Sequence, residues 1–445
     1  MTNSSILLGV LLTVAGLLPF AAAADKSPGG TEESLADAVR AKKEIPAAAA
    51  KFAAAVRRVD EAGGRIEFDA DGNLTGVDLS SGRLAVGDAD VELLVALPNL
   101  KKLRLSGGEI SNAGVKRLAA LTGITELALQ NTLIDNDGLR ILAPLRGLRS
   151  LNVQQSLNVT DEALAHLKQF PDLTYLFLTD NAFTNEGIAQ LKPLGKLRLL
   201  DLRGCPQIDT DGLRQLRGLK NLRALRLRGD RFNDEGLKVL REFPELTSFT
   251  IEESPVGDAG LAEIARLPLE DLGIFRCFSV GDAELKHLKG LANLRQLSLR
   301  DTPIDGSGLA AIAGKQRLAS LELSGTAVDD AGLQHLKDLL RLARLDLRQA
   351  RITDAGLKTV GSLAGLEQLD LEDTGIGDAG IGHLAGLGKL QSLNLKLNTG
   401  VTDAAVPHLM KLTALKSLNI SQTGISPEGA EKLHQSLRGC KVTSL

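Results

Sequence analysis

Residues 345–368 read LDLRQARITDAGLKTVGSLAGLEQ, and variants of this stretch recur along most of the chain. Its apolar residues fall at Leu345, Leu347, Ile352, Leu357, Val360, Leu363 and Leu366, two apart at the start and three or more apart later. The first spacing is that of a strand and the second that of a helix face, so the unit is a short strand followed by a short helix. Alternate strand residues face opposite sides, which turns Leu345 and Leu347 inward and Asp346 and Arg348 outward. Thr353 and Asp354 offer acceptors to the free amides of a helix start, and Gly356 tolerates a tight entry.

Aligning the first leucine of each strand gives Leu103, Leu127, Leu151, Leu176, Leu200, Leu225, Phe249, Leu272, Leu297, Leu321, Leu345, Leu369, Leu393 and Leu418, in steps of 23 to 25 residues. A period of this length marks a stacked array of repeats, because one unit alone buries too little apolar surface to fold. The continuous register argues for one elongated domain in spite of the 445-residue length.

The LxxLxL run of Leu342, Leu345 and Leu347 and the ITDxGL run of residues 352–357 resemble the leucine-rich repeat family. The resemblance spans roughly residues 65–440 and is strongest to the ribonuclease-inhibitor-like and cysteine-containing types of repeat. Four longer units carry their extra residue after Ser156, Cys205, Cys277 and Asn398, where the cysteine-containing type is also longer. The resemblance implies an α/β fold, a right-handed solenoid in the form of a horseshoe or arc. A parallel sheet would line its concave side and helices its convex side. It implies binding, and no particular partner.

The expected organisation follows the chain. Residues 1–24 hold an apolar run at 6–20 that ends in Ala22-Ala23-Ala24, which suits a signal peptide cleaved after Ala24, or else an uncleaved anchor. Residues 25–31 read as a linker and 32–64 as a helical cap divided at Pro46, with Phe52, Val56 and Val59 forming one apolar stripe. Repeats occupy 65–437, and 438–445 form a closing strand. The expected location is therefore secreted or periplasmic. With 52 basic and 55 acidic residues, the balance gives no support for nucleic acid or an anionic membrane as a partner.

Chemistry leaves few marks. The six histidines, His166, His287, His335, His383, His408 and His434, share one place in the repeat, on the helix, which repetition explains without catalysis. Asn136, Asp161, Asp258, Asp330, Asp354, Asp378 and Asp403 could suggest a calcium ladder, but they stand at helix starts, where capping explains them. Cys205 and Cys277 occupy the fifth place after the strand leucine, otherwise mostly Thr, Ser or Asn. They lie three units apart, roughly 14 Å at about 4.8 Å per strand, beyond the roughly 7 Å that a disulfide spans. No nucleotide, metal or nucleophile motif appears, so neither an enzyme nor a cofactor is expected.

The informative residues face out from the strands. In units four to nine these include Tyr175, Phe177, Arg203, Arg226, Arg228, Glu252, Phe275 and Arg300, the residue types that binding hot spots favour. Arg203 and Arg228 are expected to be like-charged neighbours on adjacent strands, which hints at use by a ligand. A solvated charge ladder is the competing reading, with Arg228 paired to Glu252 and Arg226 to Asp201. The composition and register thus point to a protein-binding surface, with polysaccharide as a second ligand class. The other function classes are a structural spacer of the envelope and, by analogy with related repeats, a ubiquitin-ligase adaptor or effector.

Overall fold

The computed structural model describes residues 47–97 and 99–444. The expected signal peptide, the linker and the part of the cap up to Pro46 lie outside the described residues. Two compact units make up the chain, residues 1–199 and 200–445.

The described part of the first unit opens with the helix Ala47–Glu61, whose Ala55, Val56 and Val59 are buried. Strands β1 (Arg65–Phe68) and β2 (Leu74–Leu79) pair antiparallel. From there β3 (Lys102–Ser106), β4 (Glu126–Gln130), β5 (Ser150–Asn152) and β6 (Tyr175–Phe177) add in parallel, one strand per repeat. Val77, Leu103, Leu127, Leu151 and Leu176 stand directly opposite one another in successive pairs. The alignment read from the sequence is therefore the hydrogen-bonded register.

The division between the units falls within β7 (Leu199–Asp201). The second unit continues through β8 (Ala224–Arg228), β9 (Ser248–Glu252), β10 (Asp271–Phe275), β11 (Gln296–Ser298), β12 (Ser320–Glu322) and β13 (Arg344–Asp346). It ends with β14 (Gln368–Asp370), β15 (Ser392–Asn394), β16 (Ser417–Asn419) and β17 (Lys441–Thr443). All of these from β8 onward pair in parallel, with Leu225, Phe249, Leu272 and each later strand leucine again in one row. Every strand leucine from Leu103 to Leu418 is buried, and each contributes about 2 kcal/mol of transfer free energy that its neighbours above and below make available.

A left-handed turn closes each strand. Ten non-glycine residues, Gln349 and Asp373 among them, hold φ between 50 and 68° at the fourth place after the strand leucine. Such a conformation costs an L-residue about 1–2 kcal/mol. At some of these turns the next side chain offsets it by bonding back, as Thr302 Oγ1 donates to Leu299 O at 2.6 Å and Thr374 Oγ1 to Leu371 O at 3.1 Å. In two repeats this place is held by Asn181 and Asn398, whose amides donate to the backbone of both their own repeat and the one before. Cys205 and Cys277 fill the same buried row and, like Cys440, are in the thiol form. Burial pushes the Cys277 thiol up to about 11.

The helix-start acids correct the sequence reading. The side chain that caps a helix is mostly the residue before them: Thr353 Oγ1 accepts from Ala355 N at 3.3 Å, and Asp329 Oδ1 from Gly332 N at 2.9 Å. The expected caps reach across to the following repeat instead. Asp330 accepts from the amide and hydroxyl of Thr353, Asp378 from those of Thr402, and Asp403 from those of Ser426, while Asp354 accepts from Gly377 N at 2.6 Å. Asp258 departs from the pattern and is held by Lys286 at 2.6 Å and His287 at 2.9 Å. These carboxylates fasten one repeat to the next on the helix-entry side. Among the described residues no helix is long and apolar enough to cross a membrane.

Candidate functional site

The strand face of the second unit carries the chemistry. At the place one residue after the strand leucine, β8 to β12 present Arg226, Thr250, Gly273, Ser298 and Glu322, each opposite the next in the ladder. Three small residues in a row leave a depression between larger ones. Its volume is about 260 Å³, and Arg203, Arg226, Asp271, Phe275, Gln296, Ser320, Glu322 and Arg344 complete its wall. Arg226 and Arg344 sit five strands apart, roughly 24 Å along the sheet at about 4.8 Å per strand.

Gly273 is required by contact. A Cβ there would stand 2.9 Å from Cε2 of Phe275, so the ring lies over the glycine and forms part of the floor. The Arg300 guanidinium covers that ring at 4.8 Å from its centroid, and its Nε is 3.5 Å from Asp301 Oδ2. Two of the wall carboxylates are held in place by hydroxyls. Ser298 Oγ donates to Glu322 Oε2 at 2.6 Å, and Ser248 Oγ to Asp271 Oδ2 at 2.9 Å.

Arginines at the β7 to β10 end are neutralised from below. Arg203 grips Asp201 with two parallel bonds of 2.9 and 2.8 Å and reaches Glu252 Oε1 at 2.9 Å. Asp201 and Glu252 are 1% and 5% exposed, and hydrogen bonding to Asp201 above all holds the Arg203 pKa above its ordinary value. Arg226 stands 3.5 Å from the same Asp201, as the ladder reading has it. Glu252 also takes Arg203 and, at 3.5 Å, Arg276. Arg203 and Arg228 therefore do not make a bare cationic pair. Beneath Arg203 lie two buried carboxylates, so its proximity to Arg228 is no sign of a missing ligand.

Of the remaining sequence candidates, Tyr175 and Phe177 lie on β6 of the first unit, opposite Ser150 and Asn152, with Tyr175 exposed. Arg203, Arg226 and Phe275 line the recess directly, Arg300 supports it through Phe275, and Glu252 anchors Arg203. Reading for aromatics and arginines overlooked Thr250, Gly273, Ser298, Ser320 and Arg344. A signal existed, since Thr, Gly and Ser occupy successive copies of one outward-facing place that elsewhere, Ala128 and Phe177 apart, holds Asp, Asn, Arg or Glu. Arg344 is exposed and has no ion pair among the described residues.

The lining contains hydroxyls, an amide, both signs of charge and one aromatic ring, with no histidine or cysteine. Among the described residues no group of His, Cys, Asp and Glu is placed to hold a metal ion.

The family profile described as leucine-rich repeat matches residues 96–119, 290–313 and 411–433, three copies of the unit that the strand register defines. These are leucine-rich repeats. No curated protein matches the chain in sequence. Solved leucine-rich repeat structures are similar to it at low identity. An internalin of Listeria monocytogenes is 21% identical over 72% of this chain and 86% of its own, with a TM-score of 0.42. A leucine-rich repeat protein of Leptospira interrogans is 22% identical over 79% and 91%, with a TM-score of 0.46. The functional domain of InlJ from Listeria monocytogenes, described as including a cysteine ladder, is 18% identical over 83% and 73%, with a TM-score of 0.41.

Proposed function

We propose that the chain is an exported, non-enzymatic binding protein that engages a protein partner through the strand face of its second unit. The observation that carries the reading is the recess over Gly273, between Arg226 and Arg344. Its walls are already ordered by internal bonds, so a ligand loses little further side-chain freedom on docking, a saving of about 0.5–1.5 kcal/mol for each side chain. Phe275 with Arg300 supplies the aromatic and arginine character of a hot spot, and Arg344 a cation that has no ion pair among the described residues. Export rests on the apolar run at residues 6–20 and its small-residue end, which places the start of the mature chain after Ala24. On this reading Arg228 extends the contact surface of the second unit, and Lys441–Thr443 close its last repeat.

The test is cross-linked capture from the native envelope and medium with protein from Asp25 onward, beside an Arg344→Glu, Phe275→Ser variant of unchanged circular dichroism. The reading predicts a partner captured by the parent and lost with the variant. Capture of the same proteins by both, or of the chain by itself alone, would favour the spacer role.

A further inference from the structure

The eighteenth or nineteenth place after each strand leucine is a core position. Leu291 and Leu339, in the repeats on either side, are 1% exposed there, and every other repeat but one puts a buried Leu or Phe at it. The exception is Lys315. Its aliphatic stem takes the place of the leucine, and its ammonium donates to the carbonyl of Leu291 at 2.7 Å and of Lys289 at 3.5 Å. Burial alone pushes its pKa down, which means the charged form is poorly compensated where it stands.

Around Lys315 the helix side is hollow. The short 3-10 helix Ser307–Ala311 and the residues after it offer Ala310, Ala311, Ala313 and Gly314, none large enough to fill the space. The result is an open recess of about 490 Å³ whose lining includes Lys289, Lys315 and Arg317 and no carboxylate. Arg317 is steered by a 2.9 Å bond to Asn293 Oδ1, and none of the three cations has an ion pair among the described residues. Elsewhere on this chain basic side chains commonly meet an acid of the same or the next repeat, as Lys286 meets Asp258 and Arg241 meets Glu263.

We propose that this recess binds a phosphate-bearing ligand, with Lys289, Lys315 and Arg317 as its three cations. Arg317 presents paired N–H donors to adjacent phosphate oxygens, while the two lysines act as point charges. A singly charged carboxylate would leave much of the positive charge unbalanced, so the site selects for two or more negative charges. The small walls admit the group close to the backbone. This site shares no lining residue with the strand-face recess and does not depend on the function proposed there.

The decisive experiment is calorimetric titration of the full chain with inorganic pyrophosphate, against acetate at matched ionic strength. The expected result is one site for pyrophosphate and at least a tenfold preference over acetate. Lys315→Leu restores the apolar row, so it should melt no lower than the parent while binding pyrophosphate at least tenfold more weakly. Arg317→Gln, at an exposed position, should weaken binding likewise without moving the melt. Sedimentation with phosphatidic acid vesicles distinguishes a lipid headgroup from a soluble phosphate as the source. Unchanged pyrophosphate affinity in both variants, or affinity no better than for acetate, would overturn the proposal.

Discussion

Asp330 accepts two hydrogen bonds from Thr353, a residue of the next repeat: 2.8 Å from its amide and 2.5 Å from its hydroxyl. Thr353 then caps its own helix, so this helix entry is held by an acid of the previous layer and a hydroxyl of its own. Asp330→Ala should therefore weaken the layer interface and not merely one helix end. The expected loss is about 1–2 kcal/mol in urea denaturation. A loss confined to helix content, with no change in the denaturation midpoint, would contradict that role.

The same acid explains why glycine follows. A Cβ on Gly356 would lie 2.3 Å from Asp330 Oδ1, and one on Gly380 would lie 2.4 Å from Asp354 Oδ1. In an unobstructed helix Gly→Ala stabilises by about 0.5–1 kcal/mol. Gly356→Ala should be destabilising in the parent and much less so, or stabilising, in the Asp330→Ala background. Additive effects in the double-mutant cycle would show that the two positions do not touch.

Acid should loosen the stack at Asp403. Hydrogen bonds from the Ser426 hydroxyl and amide hold the Asp403 carboxyl below its ordinary value. A depressed native pKa favours the folded state above the unfolded pKa, about 3.9, and that contribution fades as pH falls through the native value. Asp403→Asn should therefore remove part of the stability lost as pH falls below about 4. Parallel parent and variant curves over that range would count against it.

Arg203 and Arg344 separate folding from binding on the strand face. Arg203→Met leaves Asp201 and Glu252 as buried carboxylates without their main partner, and a loss of about 3 kcal/mol is expected in chemical denaturation. Arg344→Glu, exposed and without an ion pair, should leave the denaturation midpoint unchanged within about 0.5 kcal/mol.

The repeat was legible because burial repeats with it. Leu321, Leu345 and Leu369 are placed by local spacing, and their register needs nothing beyond a constant period. Asp330 and Thr353 were harder, because a capping residue satisfies a local rule equally well whether its acceptor serves its own helix or one 23 residues away. The left-handed turn at Asp373 gave no glycine to mark it, and there the Thr374 hydroxyl bonds back to Leu371 O at 3.1 Å. Of the candidate site, Arg203, Arg226, Phe275 and Arg300 could be read from residue type. Gly273 could not, since the recess is made by what its neighbours lack, and Asp201 beneath Arg203 concealed how little of that arginine's charge is unspent.

The central claim is that the strand-face recess of the second unit binds a protein. The most direct measurement is the affinity of a captured partner for the parent and for Ser298→Trp, which fills the depression without changing its charge. The account predicts at least a hundredfold weaker binding, about 2.7 kcal/mol, with an unchanged melt. Affinity within twofold of the parent would place the contact elsewhere and contradict it.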